Sequence, residues 1–413
     1  MSPSTLPTVL RGTEAGDWLG GFPADEVHFP GSPEELAELV GGARSAGRRL
    51  VPAGAGTWLD GGGWGRPADA VVSMGRMNAM VHYEPADLTL TVGAGMAWST
   101  LSETLDGEGQ WLPLDPPGVS SATVGAVVAA GMSGSLRTLY GAVRDNVLGI
   151  EGVTGEGRIL RFGGRVVKNV AGYDLVRLLT GSRGSLAAMT AVSLRLYPRP
   201  ATDRTLRFRG SVPEVLLAGA AMARLPVTAA AVEVDLGDPA EVILRLVGSE
   251  AEVSAASSAI RGATGVGSLQ EDDPLEGEES RTLHLNRTAW EDGMPWVVRC
   301  SALPEHLEAT VQVARRIADA WHGDVTAHVQ QGVVRVRAPG PAGTDAAHGT
   351  GELVLEARAR MEAMDGALVV TSAPAGASVV RSGAVSPAVK EVQSRLKRLF
   401  DPDGVLAPEA PGT

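Results

Sequence analysis

The sequence predicts an α+β protein of two domains, and three observations support this. The chain has 413 residues, more than one domain usually contains. Glycine is concentrated in the first half, with 33 in residues 1–200 and 20 in the rest, and it clusters between short β-rich runs. The second half instead repeats a βαββα pattern. We therefore expect a glycine-rich domain over residues 25–200 and a second domain over residues 201–413.

Composition and charge exclude several classes of protein. The net charge is −12, only three of the 36 basic residues are lysines, and no basic run occurs, so nucleic acid is not expected as a partner. A single cysteine excludes a disulfide framework and any iron–sulfur cluster held by this chain alone. No leader pattern and no transmembrane segment is found. The sequence predicts a cytoplasmic protein, and attachment to the inner face of the membrane through partner subunits remains an option.

Local patterns predict the elements of the first half in order. Ser32 and Pro33 begin a helix that Gly47 ends. Leu and Thr alternate as in a strand just before Gly93, and Thr154–Gly157 is typical of a hairpin. Asp174 is placed to cap a helical turn over 175–180. Strands are predicted at 49–51, 70–73, 88–92, 147–153, 158–162 and 186–196, with helices at 33–49 and 99–105 and a small-residue helix within 116–134.

The second half contains two ferredoxin-like βαββα series. The first predicts strands at 204–209, 230–236 and 242–247 with helices at 213–224 and 250–260. The second predicts strands at 296–300, 324–329, 333–337 and 367–370 with helices at 305–320 and 352–364. Between the two series, residues 271–279 carry six carboxylates. Such a charge run predicts a solvated loop.

The segment Pro52-Ala-Gly-Ala-Gly-Thr57 directly follows a predicted strand. Its backbone N–H groups could form an anion-binding nest that needs no lysine, although a plain turn is an equal alternative. Spacing excludes two other phosphate-binding motifs, because no third glycine arrives at the Rossmann offset and no Gly-Lys-Ser/Thr occurs. The segment alone is weak evidence for a cofactor.

Several further motifs occur together with this segment. They are Ser121–Gly125, Met132–Gly134, Tyr140–Asp145, Gly163–Leu175, Gly181–Leu186 and, at the end of the chain, Leu399–Leu406. In combination, residues 25–200 resemble the vanillyl-alcohol-oxidase (VAO)/PCMH class of FAD-binding domains, and within it the FAD-binding subunits of bacterial glycolate oxidases. The resemblance implies a PCMH-type (VAO-like) domain of two α+β subdomains that hold FAD. It also implies a following ferredoxin-like C-terminal domain of the FAD-linked-oxidase type.

The resemblance also implies which residues bind FAD. The first loop would bind the pyrophosphate, and the other motifs would line the middle of the cofactor and complete its cradle. Close packing of small residues is the alternative at each position. The implied residues are Pro52, Ala53, Gly54, Ala55, Gly56, Thr57, Pro116, Pro117, Thr123, Val124, Gly125, Ser133, Gly134, Gly141, Arg144, Asp145, Gly181, Ser182, Gly184, Ser185 and Leu186.

Covalent attachment of FAD and a metal site are not expected. Some members of the class attach FAD through a histidine at the position of Ala55, which has no nucleophile, so non-covalent FAD is predicted. Related enzymes hold a divalent metal with His-x-Gly-Asp-Gly-Asn-x-x-His and Glu-His-Gly segments. Here only His322-Gly-Asp324 and His328 match, and the remaining histidines show no ligand spacing. His322 and His328 could share a strand face but are expected to be surface or packing residues, and Cys300 is expected to be an inert core thiol.

Three functions remain open on the sequence. The first is an FAD-binding component of a glycolate oxidase or related 2-hydroxy-acid dehydrogenase, with a second FAD-binding catalytic subunit and an iron–sulfur subunit as partners. The second is an independent flavin dehydrogenase or oxidase with an unrecognised base, for which Tyr140, Arg144 and Arg335–Arg337 are candidate substrate contacts. The third is an assembly subunit whose flavin is vestigial.

Overall fold

The protein is described here from a computed structural model. It covers residues 6–19, 22–59, 68–164, 174–263, 265–288, 294–340, 346–374 and 385–406, together with 377, 382 and 383. The chain forms two compact units. Among the described residues, the first unit comprises those up to Ser133, those of Gly141–Arg199 and those after Gly383, and the second comprises Gly134–Tyr140 and those from Pro200 to Gly383.

Two sheets and a short strand pair build the first unit. The strands of the four-stranded sheet, in spatial order, are Val9–Arg11, Glu26–His28, Ala70–Ser73 and Leu50–Ala53, the last three parallel. The antiparallel five-stranded sheet follows the order Met80–Glu84, Thr89–Gly93, Ala187–Arg195, Val147–Thr154 and Ile159–Gly163. Gln110–Trp111 pairs with Tyr197–Pro198.

The helices of the first unit begin at capping residues that the sequence indicates. Ser32 Oγ accepts the N–H of Glu35 at 3.1 Å, and Asp174 Oδ1 accepts that of Arg177 at 3.0 Å. Leu36 and Val40 are fully buried, and they pack into the core that the two sheets share with these helices. The helices are Gly12–Leu19, Pro33–Ser45, Trp98–Gly107, Val124–Ala130, Val143–Asn146, Leu175–Leu179 and Pro387–Phe400.

The end of the chain completes the first unit, although the predicted domain limits assign it to the second. Leu406 forms a parallel bridge with Leu50, and Leu50 N donates to Val405 O at 2.7 Å. The Asp401 side chain is 0% exposed, accepts the N–H groups of Val405 and Leu406 at 2.8 Å each, and pairs with Lys397 at 2.7 Å. The pattern of residues 387–406 predicts local structure only, so it could not indicate this distant partner.

One nine-stranded antiparallel sheet spans the second unit. Eight strands follow the spatial order Gln270–Glu271, Thr202–Gly210, Ala240–Gly248, Ala229–Asp235, Asp324–His328, Val333–Ala338, Trp296–Ser301 and Ala367–Ser372, and Leu275–Glu276 also pairs with Thr202–Gly210. The two predicted βαββα series meet where Ala229–Asp235 pairs with Asp324–His328. The helices are Arg137–Tyr140, Val212–Met222, Glu250–Arg261, Gly277–Thr288, Leu307–Trp321 and Ala346–Glu362.

The two faces of this sheet differ in polarity. Alternate residues such as Leu244, Val298 and Val334 lie in the apolar core that the long helices cover. Cys300 is on this apolar face, and burial raises the pKa of its thiol to about 12, so the expectation of an inert core thiol is confirmed. The intervening residues, among them Glu233 and Arg245, make the other face polar.

The acidic segment 271–279 is largely exposed to solvent, as its charge predicts, but it is not a loop. Asp272 forms ion pairs with Arg207 and Arg209, and Glu276 pairs with Arg204. The segment supplies two short edge strands and the first turn of a helix. The arginines that pair with Asp272 and Glu276 lie about 70 residues earlier in the chain, outside the reach of a local charge pattern, whereas Glu271 pairs with the nearby Arg261. None of the helices in the described part of the chain has the length and apolar character needed to cross a bilayer.

Candidate functional site

The predicted pyrophosphate loop follows strand Leu50–Ala53 in the first unit. Its shape is held by Ser73, whose Oγ donates to Gly54 O at 2.7 Å, and by Met74, whose N–H donates to Ala53 O at 2.9 Å. Gly56 has a φ of +87°, a conformation that favours glycine. Ala55, at the position where some relatives of the VAO class carry the flavin-linking histidine, is exposed.

Backbone donors of this loop are available to a ligand. Within the part of the chain that the structure describes, no protein acceptor takes the N–H groups of Gly54, Ala55, Gly56 or Thr57. Consecutive donors of this kind next to a positive φ angle are the requirement for an anion-binding nest. The geometry therefore fits the nest and not merely a plain turn.

The Pro116–Gly125 segment lies against this loop. Thr57 Oγ1 donates to Ser121 O at 2.7 Å, and Trp58 Nε1 donates to Pro117 O at 3.1 Å. A Cβ atom at Gly54 would lie 2.0 Å from Thr123 Oγ1, so the Gly54 backbone packs directly against the Thr123 side chain. Thr123 also caps the helix Val124–Ala130, in which Val124 and Gly125 are buried. Pro116 is buried one position before Pro117.

The Gly181–Leu186 loop approaches both of these segments. A Cβ atom at Gly184 would lie 3.0 Å from Pro52 Cβ, and the N–H of Gly181 donates to Val128 O at 3.0 Å. Lys397 Nζ donates to Ser185 O at 2.7 Å, so the end of the chain also holds this loop. Ser182 and Ser185 are partly buried, and Leu186 is buried.

The remaining predicted residues form a neighbouring group. The N–H of Val143 donates to Ser133 Oγ at 3.4 Å, and Asp145 Oδ2 accepts the N–H of Ala142 at 2.9 Å. A Cβ atom at Gly141 would lie 3.1 Å from Asp145 Cβ, and the Arg144 side chain is 58% exposed beside it. Gly134 is not among them, because it belongs to the second unit, where its carbonyl lies 3.3 Å from Gln331 Nε2.

Sequence reasoning missed several residues at this site. Arg183 lies within the Gly181–Leu186 loop at a φ of +53°, and burial lowers the pKa of its guanidinium. Ser73 and Trp58 hold the first loop but belong to no recognised motif. In the sequence, only the position of Trp58 directly after Thr57 indicates that it belongs to this site.

The site fits FAD on two observations. Its donors are neutral backbone N–H groups, which suit a pyrophosphate in a chain of net charge −12. Its glycines lie where a Cβ atom would collide with a neighbouring segment, as it would at Gly54 with the side chain of Thr123. Most of the run Gly163–Leu175, which contributed to the resemblance, falls on residues 165–173, which lie outside the described part of the chain.

The polar face of the second unit brings together residues that the sequence leaves scattered. His328 Nδ1 lies 3.5 Å from Glu233 Oε1, and His284 Nδ1 lies 3.9 Å from the same atom. All three side chains are buried. Arg335 Nη1 donates to His328 Nε2, so His328 carries its proton on Nδ1, towards Glu233. The described residues include no group of three or more side chains suited to a metal ion.

The expectation for one pair of histidines is corrected. His322 and His328 do not share a strand face, because His322 ends the helix Leu307–Trp321 in a left-handed conformation with a φ of 53°. His284, which shows no ligand spacing in the sequence, lies near Glu233 together with His328. The three residues come from three separate elements, and no spacing in the sequence marks their convergence.

Comparison with known proteins identifies an FAD-binding domain in the first part of the chain. Residues 24–163 match the family described as FAD binding domain. Glycolate oxidase subunit GlcE of Escherichia coli K12 is 36% identical over 219 residues, which cover 52% of this chain and 61% of that protein. Glycolate oxidase subunit GlcD of Bacillus subtilis 168 is 35% identical over 183 residues, covering 44% and 39%. The mitochondrial cytochrome-type D-lactate dehydrogenase of Arabidopsis thaliana is 34% identical over 177 residues, covering 43% and 31%. The chain thus matches less than two thirds of the length of these relatives.

Solved structures agree on the fold of the whole chain. An alkyldihydroxyacetonephosphate synthase superposes with a TM-score of 0.67 at 15% identity, covering 94% of this chain and 76% of that one. The VAO-type flavoprotein MtVAO615 of Myceliophthora thermophila C1 gives 0.68 at 17% identity, covering 92% and 78%. The predicted α+β VAO-like fold is confirmed, and FAD is the cofactor that this domain binds.

Proposed function

Because residues 24–163 carry an FAD-binding domain within a VAO-type fold, we propose that this protein is an FAD-dependent oxidoreductase of hydroxy-acid metabolism. The observation that carries the proposal is the convergence of the first loop and the Pro116–Gly125 segment, both within residues 24–163, with the Gly181–Leu186 loop. The relatives named glycolate oxidase subunits and D-lactate dehydrogenase support a 2-hydroxy acid as substrate.

FAD, when bound, supplies a two-electron acceptor for the hydride of the substrate. The residues of this chain bind and orient it. The N–H groups of Gly54–Thr57 would receive the pyrophosphate, and Thr123 to Gly125 with the Gly181–Leu186 loop would enclose the middle of the cofactor. Ser133, Gly141, Arg144 and Asp145 would complete the cradle.

We further propose that the chain acts as one subunit of a complex. Its partners would be a second FAD-binding subunit that carries the substrate site and a separate iron–sulfur subunit. The likeness to two differently named subunits of glycolate oxidases supports the first partner. The second follows from the single cysteine of this chain, because a cluster needs several thiolate ligands.

Anaerobic reduction of the flavin tests this arrangement. Purified alone with FAD, the protein should keep its flavin oxidised when glycolate or D-lactate is added. Co-purified with the products of the adjacent genes, it should lose its flavin absorbance on the same addition, and iron analysis of the preparation should be positive. Rapid stoichiometric bleaching of the isolated protein would overturn the subunit role while leaving the oxidoreductase intact.

The flavin should be held without a covalent bond, because Ala55 offers no nucleophile. Acid precipitation is expected to release all of the yellow colour into the supernatant. An Ala55→His variant provides the comparison, since it restores an imidazole at the exposed position. Flavin that stays with the precipitated wild-type protein would contradict the prediction.

A second candidate function is an independent dehydrogenase with its own base. The buried Glu233, His284 and His328 favour it, because a carboxylate beside an imidazole is a recognised arrangement for proton transfer. If the isolated protein turns over a hydroxy acid, Glu233→Gln should lower kcat by about 10²-fold or more. A turnover that Glu233→Gln leaves unchanged would exclude this base.

A further inference from the structure

We propose that the helix Pro387–Phe400, near the end of the chain, is a docking surface for another protein subunit. That subunit would pack on it a helix that has an apolar seam and acidic residues beside the seam. The existence of the docking surface rests on the exposed side chains of Pro387–Phe400. The assignment of its occupant to a subunit of the complex rests on the proposed function.

Three large apolar side chains of this helix are exposed. Val389 is 49% exposed, Val392 55% and Leu399 65%, whereas Phe400 is buried. Among the described residues, these are three of the seven large apolar side chains that are exposed, although the helix has only 14 residues. Single exposed apolar residues are ordinary on a protein surface, but several on one element indicate a binding surface.

The spacing of these side chains aligns them along the helix. Val389, Val392, Leu396 and Leu399 are separated by three, four and three residues, so they form one stripe. This is the a and d spacing with which one helix packs against another. Leu396 is partly buried and the other three are open to solvent. The stripe therefore has the pattern of a helix-packing seam, and the described part of this chain does not supply the second helix.

The helix is anchored at its C-terminal end, which leaves the stripe accessible. Phe400 packs into the core of the first unit, and Lys397 Nζ pairs with Asp401 at 2.7 Å. At the other end, Ser386 caps the helix by accepting the N–H of Val389. These contacts hold the helix without covering its stripe.

The charges beside the stripe favour an acidic partner. Arg395 lies three residues after Val392 and four before Leu399, so it borders the stripe. It shares the carboxylate of Glu391, at 2.7 Å, with Arg398, at 3.9 Å, and one carboxylate cannot neutralise two guanidinium groups. The helix also carries two of the three lysines of a chain whose net charge is −12. Acidic residues on the partner helix would complement this local positive charge.

Two other occupants fit these observations less well. A second copy of the chain, packed through the same helix, would place two positively charged helices together. An anionic bilayer would repel a protein whose net charge is −12. In addition, the stripe consists of valine and leucine and has none of the aromatic side chains typical of helices that lie in a membrane surface.

Calorimetric titration of the FAD-loaded protein with the second FAD-binding subunit tests the proposal. Both proteins are used at full length, because isolated helices of this length are only marginally stable. Val392→Gln and Leu399→Gln should each raise the Kd about tenfold or more, since each removes an apolar contact from the seam. Arg395→Glu should also raise the Kd, and the Kd of the wild type should rise with salt concentration.

Two controls separate the stripe from general effects of substitution. Leu355→Gln removes an apolar side chain that is 54% exposed on the helix Ala346–Glu362, and it should leave the Kd unchanged. Glutamine favours a helix at least as well as valine does, so Val392→Gln should melt no lower than the wild type. An unchanged Tm then shows that the lost affinity does not come from misfolding.

Four outcomes would overturn the proposal. Equal Kd values for the wild type and a Val392→Gln/Leu399→Gln variant would remove the docking surface and leave the proposed complex intact. No binding by the wild type would remove the docking surface and the subunit role together. Sedimentation of the wild type, but not of Val392→Gln, with vesicles of phosphatidylglycerol and phosphatidylcholine would assign the helix to a bilayer. A wild-type dimer that Val392→Gln converts into monomers, measured by light scattering, would assign it to a second copy.

Discussion

Replacing Gly54 by alanine should release FAD, with an affinity about 5- to 150-fold lower, equivalent to about 1–3 kcal/mol for overpacking a close contact. The added Cβ atom would lie 2.0 Å from Thr123 Oγ1 and 3.0 Å from Thr123 Cβ, so the first loop and the Pro116–Gly125 segment must separate. Equilibrium titration of the apoprotein, followed by quenching of flavin fluorescence, measures the change.

Gly41→Ala is the matched control for this experiment. Gly41 lies within helix Pro33–Ser45, and no atom is within 4 Å of the position its Cβ would take. Alanine there should stabilise the helix by about 0.5–1 kcal/mol and leave FAD affinity unchanged. The double variant Gly54→Ala with Thr123→Ala should recover part of the lost affinity, because it removes the overlapping hydroxyl. Equal FAD affinities in Gly54→Ala and the wild type would show that the two segments do not form the cofactor site.

Asp401→Ala should lower the free energy of unfolding of the first unit by about 3–5 kcal/mol, the usual cost of removing one partner from a buried ion pair. The Asp401 side chain is 0% exposed, and its loss removes the carboxylate partner of Lys397 and the acceptor of two backbone N–H groups. Urea unfolding monitored by tryptophan fluorescence gives the value. FAD should also bind more weakly, since Lys397 holds Ser185 O in the Gly181–Leu186 loop.

Asp403→Ala, two residues further along the chain, is a control in which an aspartate of an exposed ion pair is removed. Asp403 pairs with Arg44, but the two side chains are 48% and 44% exposed. Asp403→Ala should therefore change stability by no more than about 0.5 kcal/mol. If Asp401→Ala lowered the free energy of unfolding as little as Asp403→Ala does, the Lys397–Asp401 pair would not hold the end of the chain in place.

Much of the flavin-binding unit could be predicted because its signals are local. A glycine-rich turn after a strand, a capping Asp174 and the Thr154–Gly157 hairpin each depend on a few neighbouring residues, and the structure forms them as expected. The motifs around Gly125 and Gly184 could likewise be predicted. A glycine often marks a position where another segment packs closely against the backbone, even when that segment is unknown.

The remaining features depend on partners far apart in the sequence. The charge of residues 271–279 predicts their exposure, but it does not reveal that two of the carboxylates pair with Arg204, Arg207 and Arg209. The sequence does not indicate that Glu233, His284 and His328 lie close together, because they come from two strands and a helix that only the fold brings into contact. Arg299 and Arg335 lie opposite one another because of the register of their two strands, and the sequence of either strand alone does not specify that register.

The bridge between Leu50 and Leu406 has a consequence for synthesis of the protein. At about 5–20 residues per second, a ribosome needs on the order of 20 to 70 seconds to travel from the first of these residues to the second. The second unit, whose last residue is Gly383, is fully translated before the strand at Leu50 can receive its final neighbour. The flavin-binding unit, although it begins first in the chain, can therefore be completed only after the whole of the second unit has been translated.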